Sequence, residues 1–154
     1  MADNILQIAL EREHREIDHD IEQFINQPTD PAPLRRSIEA LRRHIYLEED
    51  FLFPPLREAG LVMPILVMIR EHGDIWKAMD NTEKLLADGA DTDALLEVCA
   101  ELVKLQEVHN AKEEPIIYTQ ADTKLSFEAS TRLQAYLESS TLPEGWICQA
   151  REQR

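Results

Sequence analysis

Apolar side chains recur every three or four residues along four long stretches of the chain, the spacing that places them on one face of an α-helix. In the first stretch, Leu10, Ile17 and Phe24 lie on one such face. Asp3 or Asn4 precedes this stretch and can cap the start of a helix. We therefore expect four amphipathic helices, at about residues 3–27, 34–53, 64–89 and 91–116.

Proline and glycine separate these stretches. The segment PTDPAP, residues 28–33, ends the first helix because proline has no backbone N–H and cannot continue the hydrogen-bond ladder. The proline pair at 54–55 kinks or stops the second helix, and Gly60 closes the turn that follows. Pro64 suits the first turn of the third helix, which ends at Gly89.

This pattern predicts an all-α fold. Four helices joined by short loops make an up-down-up-down four-helix bundle, to which we assign residues 1–120. A shorter amphipathic stretch from about Lys124 to Leu137 predicts one short extra C-terminal helix. Residues 121–154 as a whole either pack on the bundle or trail from it, and the sequence leaves both arrangements open.

Composition excludes several classes of partner. The chain has 154 residues, 44% of them apolar, which is enough for one domain with a real core. Its 30 acidic residues outnumber its 16 lysines and arginines, and the net charge of −14 argues against nucleic acid and membrane surfaces as partners. The start of the chain becomes charged too early for a secretory signal, and two cysteines make no disulfide framework, so we expect a cytoplasmic protein.

Each predicted helix carries one histidine on its apolar face: His14, His44, His72 and His109. Glu48 follows His44 by one helical turn, and Glu113 follows His109 in the same way. Residues four apart share a helix face, so both glutamates also point inward. An isolated buried carboxylate is costly unless it is paired or binds a metal, which marks the set as a candidate metal site.

These six side chains lie at one level of the predicted bundle. Antiparallel helices bring together residues that are equally far from the turn between them. His14 lies about 16 residues before the first turn and His44 about 14 after it, while Glu48 and His72 each lie about 12 from the second. His72 and His109 lie about 18 and about 19 residues from the third turn. All six can therefore meet in one buried layer.

Four imidazoles and two carboxylates suit a first-row transition metal. One tetrahedral zinc ion needs fewer ligands, whereas two iron or manganese ions, each held by two histidines and bridged by both glutamates, use the whole set. We predict two non-haem iron ions, with manganese or zinc as other occupants, held by His14, His44, Glu48, His72, His109 and Glu113. The alternative is a set of structural histidines that only form hydrogen bonds.

Several other side chains near the proposed ligands in sequence or on the same helices are not predicted to bind metal. His19 lies off the apolar face and is expected at the surface, while Cys99 and Trp76 are expected in the core. Three acidic neighbours of the proposed ligands point elsewhere and are either solvated or support the ligands from outside: Glu49, Asp50 and Glu114. Two tyrosines either approach the site or only pack: Tyr46 and Tyr118.

With these residues the chain resembles the hemerythrin-like HHE cation-binding domains over about residues 5–120. The resemblance rests on EHREID around His14, HIYLEEDFLFP from His44, EH at 71–72 and HNAKEE from His109. It implies a four-helix bundle around a non-haem di-iron centre. In that family pattern the four histidines match terminal ligands, and Glu48 and Glu113 match the bridging carboxylates.

Two departures from the oxygen-carrying hemerythrins limit what this resemblance implies. Those proteins have a second histidine one turn after the third-helix ligand, where this chain has Trp76. They also have an aspartate five residues after the fourth-helix histidine, where this chain has Glu114. The sequence is thus more similar to the bacterial branch with four histidines and two glutamates, which includes proteins of nitric-oxide response and iron-centre repair.

Three functions stay open at this point. The first is a metal-binding protein that takes up O₂ or NO for sensing, storage or the response to nitrosative or oxidative stress. The second is a di-iron enzyme or repair factor that acts on NO, peroxide or damaged iron clusters, although no general base or electron-donor site supports it. The third is a metal-free interaction bundle. A homodimer through the C-terminal helix and Trp146 is an expectation, and the sequence identifies no redox or signalling partner.

Overall fold

The computed structural model describes residues 3–139 and 141–152. Within these ranges the chain forms helices and turns without any strand, so the all-α prediction is confirmed. In chain order the helices are α1 (Ile5–Asn26), α2 (Ala32–Leu47), α3 (Phe53–Glu58), α4 (Met63–Ala87), α5 (Thr92–Ile116), α6 (Ala121–Lys124), α7 (Phe127–Ser139) and α8 (Gln149–Glu152). A π-helical turn, Glu48–Leu52, joins α2 to α3, and a 3₁₀ turn, Tyr118–Gln120, precedes α6. No helix in the described ranges is long and apolar enough to cross a bilayer.

The four long helices pack around one core. Helices α1 and α2 form one pair and α4 and α5 form another, while α1 also contacts α5 and α2 also contacts α4. Each long helix therefore has its sequence neighbours beside it, as short connections require. The extra C-terminal helix α7 packs against α1, α2 and the π-helical turn, and α8 lies on α4.

Two glycines end helices in the way that the sequence predicts. Gly60 has a φ of +104° and Gly89 a φ of +67°, the left-handed region in which a side chain would be strained. Beyond Gly60, the N–H of Leu61 donates to the carbonyl of Leu56 at 3.0 Å. Such bonds satisfy carbonyls at a helix end, and the chain then reverses. At the start of α5, the side chain of Asp91 caps the helix by accepting a bond from the N–H of Ala94.

Helix α1 begins differently from the prediction. Asn4 occupies the cap position, but its side chain makes no capping bond. The carboxylate of Asp122 on α6 instead accepts bonds from the N–H groups of Leu6, at 2.8 Å, and Gln7, at 3.0 Å. The cap therefore comes from a residue that is remote in sequence, which a local pattern does not reveal.

The proline pair was predicted to kink or stop the second helix, and it does not stop it, because a π-helical turn leads from α2 directly into α3. In the π-helical turn the N–H of Phe53 donates to the carbonyl of Glu48, five residues earlier. Helix α3 starts directly afterwards, with Pro54 and Pro55 in its first turn, where a helix requires no N–H donor. One wide turn thus accommodates both prolines, and π-helical turns of this kind are frequent at functional sites.

The apolar core has two halves. One cluster contains Leu10, Leu47 and Ile65, and the other contains Ile17, Ile45 and Ile75. On each helix, the residues of one cluster stop where those of the other begin, and the predicted histidine layer lies at this boundary. The polar layer is therefore enclosed by apolar side chains on both sides.

Candidate metal centre

The six predicted residues meet in the buried layer between the two halves of the core. Each long helix supplies one histidine, α5 also supplies Glu113, and the π-helical turn begins with Glu48. None of the six is more than 3% exposed: His14, His44, Glu48, His72, His109 and Glu113. The sequence thus identified which residues come together, and their role as metal ligands remains a proposal.

These residues form two groups that could each hold a metal ion. The first position is His14, His44, Glu48 and Glu113, and the second position is Glu48, His72, His109 and Glu113. Within each group, one nitrogen or oxygen from every residue lies within 4.8 Å of the others. Both glutamates belong to both groups, which is the arrangement expected for two bridged metal ions.

Each shared glutamate presents one oxygen to each position. Glu48 places Oε2 3.4 Å from Nε2 of His44 and Oε1 3.0 Å from Nε2 of His72. Glu113 places Oε1 3.1 Å from Nε2 of His14 and Oε2 3.2 Å from Nε2 of His109. A carboxylate that faces two sites with separate oxygens is oriented to bridge two cations.

A second carboxylate orients each imidazole from outside. The Nδ1 atoms of the four rings lie 2.6–3.0 Å from carboxylate oxygens, in the pairs His14–Glu114, His44–Glu13, His72–Glu49 and His109–Glu71. A bond at Nδ1 fixes the ring and leaves Nε2 directed at the centre, the usual support of a metal-binding histidine. We call Glu13, Glu49, Glu71 and Glu114 the outer carboxylates. Glu49 and Glu114 thus support the ligands, whereas Asp50 is exposed.

The two halves of the centre repeat one local sequence pattern. A glutamate directly precedes the histidine in Glu13-His14 and in Glu71-His72. The other two histidines are each followed by a glutamate pair, at 48–49 and 113–114. Helical periodicity alone did not predict roles for Glu13 and Glu71, whereas this repeated pattern is a sequence signal that marks both.

Charge pairing dominates the electrostatics of the centre. Burial lowers the pKa of His109, but the carboxylates of Glu113, Glu71 and Glu48 together outweigh burial and raise this pKa to about 10. Burial acts against ionisation of Glu113, yet the charged His109 holds the pKa of Glu113 well below its usual range. The hydrogen bond from His109 holds the pKa of Glu71 at about 2. Protons therefore balance the carboxylates, and a cation that enters must displace them.

Tyr118 also belongs to the centre. Its hydroxyl lies 2.9 Å from Nε2 of His14 and 2.8 Å from Nε2 of His44. It also donates toward carboxylate oxygens of Glu48, at 2.6 Å, and Glu113, at 2.9 Å. Burial raises the pKa of this phenol well above its usual range, and both carboxylates add to the effect. The sequence left this tyrosine open between approach and packing, and it approaches the first position.

The other assigned residues lie outside this layer. His19 is exposed, and Cys99 is buried in the core. Trp76 is buried, with its ring 5.6 Å from that of Trp146 and the guanidinium of Arg42 4.4 Å above it. Trp146 therefore docks on the bundle, and its ring also lies 5.0 Å from that of Tyr46.

The donor set fits a metal. Imidazole nitrogens and carboxylate oxygens are ligands that first-row transition metals accept. Oε2 of Glu113 is fully buried and lacks a well-aligned hydrogen-bond donor among the described residues. His109 lies near this oxygen but is poorly aligned with it, and a cation between the two would satisfy both groups. The helical bundle and its buried histidine–glutamate groups thus fit a metal-binding protein.

Comparison with known proteins identifies the family. The model of the hemerythrin HHE cation binding domain matches residues 7–121, so the chain belongs to this family. No curated protein and no solved structure matches the chain.

Proposed function

We propose that this protein holds two non-haem iron ions, one in each position, and binds O₂ or NO there. The observation that carries the proposal is the sharing of both buried glutamates by two separate histidine pairs. Manganese and zinc accept the same ligands and are the alternative occupants.

The number of donors favours ligand binding. Counting the shared glutamates, each position has four side chains, two histidines and two glutamates. Iron accepts up to six ligands, so coordination places stay open for a small molecule. The metal pair, when bound, supplies open coordination and reversible oxidation. The protein supplies the fixed imidazoles and the exclusion of water.

The surroundings favour a small, uncharged ligand. The six proposed metal ligands are at most 3% exposed, and apolar clusters lie on both sides of them. A buried apolar environment admits a diatomic gas more readily than a charged substrate. It also slows the entry of water, which would otherwise promote loss of the bound gas in oxidised form.

The residue one helical turn after His72 distinguishes this chain from the oxygen carriers described above. Trp76 replaces the second histidine there, and its ring packs with Trp146 and Arg42. The second position therefore depends on two histidines, and one of its coordination places has no imidazole to fill it. We propose that a ligand such as NO binds at this open coordination place.

Metal analysis with spectroscopy tests the proposal. The protein is purified without oxygen, its metal content per chain is measured, and visible spectra are recorded before and after addition of air or NO. We expect about two iron ions per chain, from the two ligand groups, and a new absorption band that disappears when the gas is removed. Absence of metal after growth in iron-rich medium would leave the metal-free interaction bundle.

The hypothesis that the protein is an enzyme predicts a different result when an electron donor is added. If the centre is an enzyme or repair factor, NO or peroxide is consumed over many cycles when an electron donor is present. If it is a binding protein, consumption stops after one equivalent per centre.

Localisation in the cytoplasm, a homodimer and a redox or signalling partner are also proposals. The buried cysteines Cys99 and Cys148 form no disulfide, which supports a reducing compartment.

Substitution of one ligand tests the residue assignment. We expect His109→Ala to lose metal and to lower the melting temperature, because metal binding stabilises the folded chain and the remaining carboxylates lose their partner. His19→Ala is the matched control, since His19 is exposed and contributes to neither position. Equal metal content in the two variants would contradict the assignment of His109.

A further inference from the structure

The proposed function leaves one central group without a role, the hydroxyl of Tyr118. This side chain is fully buried, and its oxygen contacts all four residues of the first position at 2.6–2.9 Å. Its four partners are the very atoms that would surround a metal ion there.

A phenol hydroxyl cannot satisfy four such partners. It has one proton to donate, whereas two of its neighbours are carboxylate oxygens that both need a donor. Two more neighbours are imidazole nitrogens, whose other nitrogens are already engaged by outer carboxylates. The oxygen therefore lies where a positive centre would satisfy the surrounding groups better than one proton does.

The equivalent residue of the second half has no hydroxyl. Tyr118 follows His109 by nine residues, and Phe53 follows His44 by the same distance. Phe53 stacks on the ring of His72, with centroids 5.6 Å apart and an angle of 16° between the planes. The repeat thus places an aromatic ring against each position, and only the first receives an oxygen atom.

We propose that Tyr118 is a ligand of the metal at the first position, bound through its phenolate oxygen. This inference rests on the proposed function. Metal–oxygen bonds are about 2.0–2.2 Å long, so the ring must withdraw slightly to make room for the ion while the oxygen remains its neighbour. The O–H bond breaks, a metal–oxygen bond forms, the proton is released to solvent, and no electron is transferred.

The consequence is a centre with two unlike metal positions. With Tyr118 bound, the first position would have five protein donors, one of them a hard phenolate oxygen, which favours a ferric ion. The second has four donors, so the open coordination is concentrated there. A small ligand would then bind to the metal held by His72 and His109.

Spectroscopy of the ferric protein tests this assignment. Full-length protein is loaded with ferric citrate, dialysed and analysed for iron. A phenolate bound to ferric iron gives a charge-transfer band in visible light, and excitation of that band enhances tyrosine ring vibrations in the Raman spectrum. We expect this band in the wild type and its complete loss in Tyr118→Phe. Ring-deuterated tyrosine should shift the enhanced vibrations.

The chain provides two matched controls, because it has only three tyrosines. Tyr46 and Tyr136 pack against each other, with centroids 5.3 Å apart, and both also pack against Phe51. Tyr46→Phe and Tyr136→Phe should keep the band unchanged. If Tyr118→Phe does not fold, these two variants and the deuterated wild type decide the assignment on their own.

The other outcomes separate this inference from the proposed function. Two irons per chain without a phenolate band would overturn the role of Tyr118 and leave the di-iron proposal intact. One iron in the wild type and two in Tyr118→Phe would show that the hydroxyl competes with the metal, which also overturns it. No bound iron in any protein would remove both proposals.

Discussion

One hydrogen bond at Nδ1 decides how each imidazole presents its other nitrogen to the centre. The four outer carboxylates make these bonds, and the strength of their own anchoring differs. Glu13 is held by Arg43 at 3.0 Å, Glu71 by Lys112, and Glu49 by the backbone N–H of Gln149 at 2.8 Å. Glu114 is the most exposed of the four, with 34% of its side chain accessible.

Glu114 therefore offers the cleanest test of the outer carboxylates. We expect Glu114→Gln to weaken metal binding by about 10- to 100-fold, because the neutral amide supports the His14 ring less well. Competition with a chelator measures the change. The matched control is Asp50→Asn, which also neutralises one carboxylate near the centre but at an exposed residue. Equal affinities in both variants would contradict the supporting role.

At the scale of elements, the C-terminal segment is part of the site. Helix α8 lies on α4, and the N–H of Gln149 reaches Glu49, which in turn bonds His72. Helix α7 is tied to the other half, because Arg43 bonds the carbonyls of Tyr136 and Leu137 as well as Glu13. The sequence left residues 121–154 open between packing and trailing, and the described part of them packs.

Gly73 sets how closely α8 approaches α4. A Cβ atom at this residue would lie 2.8 Å from the Cβ of Ala150, too close for a normal contact. We expect Gly73→Ala to lower the free energy of unfolding by about 1–3 kcal/mol through overpacking. In an Ala150→Gly background the same change should stabilise, because alanine favours a helix by about 1 kcal/mol over glycine. Urea unfolding of the four proteins measures both signs, and the same sign in both backgrounds would refute the clash.

Asp122 joins the start of α1 to α6. We expect Asp122→Ala to lower the free energy of unfolding by about 1–2 kcal/mol, since the N–H groups of Leu6 and Gln7 lose their acceptor. Asp3→Ala serves as the control, because Asp3 precedes α1 but its side chain makes none of these bonds. Chemical unfolding of both variants measures the difference, and a larger effect for Asp3 would rule out the remote cap.

At the scale of the whole molecule, the sequence predicted the features that depend on periodicity. Helical spacing gives the four long helices, and equal distances from the turns bring His14, His44, His72 and His109 to one level. Periodicity could not predict the contacts that depend on which way a side chain points between helices. Asp122 at α1 is one example, and the hydroxyl of Tyr118 in the first position is the other.

The two thiols report on how the whole fold opens. Burial raises the pKa of Cys99 and of Cys148 to about 11, so both stay neutral in the folded protein at pH 8. We expect neither to react rapidly with a thiol reagent under native conditions. Cys148 should react before Cys99, because detachment of the C-terminal segment requires less unfolding than opening the bundle. Single Cys→Ala variants assign the two phases, and faster reaction of Cys99 would contradict this order.

Alkaline pH should destabilise the folded protein, because burial raises the pKa of both thiols. A thiol whose pKa is raised on folding contributes stability that is complete below its ordinary pKa of 9.0. That contribution is lost as the pH rises from about 9 to about 11, because the unfolded chain ionises first. Urea unfolding at pH 8 and pH 10 measures the loss, and the Cys99→Ala, Cys148→Ala double variant should show less of it.

The bonds from Asp122 to the start of α1 have a consequence for synthesis on the ribosome. The first turn of α1 emerges early, yet its acceptor follows 116 residues after Leu6. His14 likewise waits for Glu113 and Tyr118. A nascent chain that ends before residue 113 therefore contains His14 and His109 without the carboxylate of Glu113 that faces both. If these six residues are the ligands, we expect metal insertion to follow the synthesis of nearly the whole chain, because a cation captured earlier would meet an incomplete set of ligands.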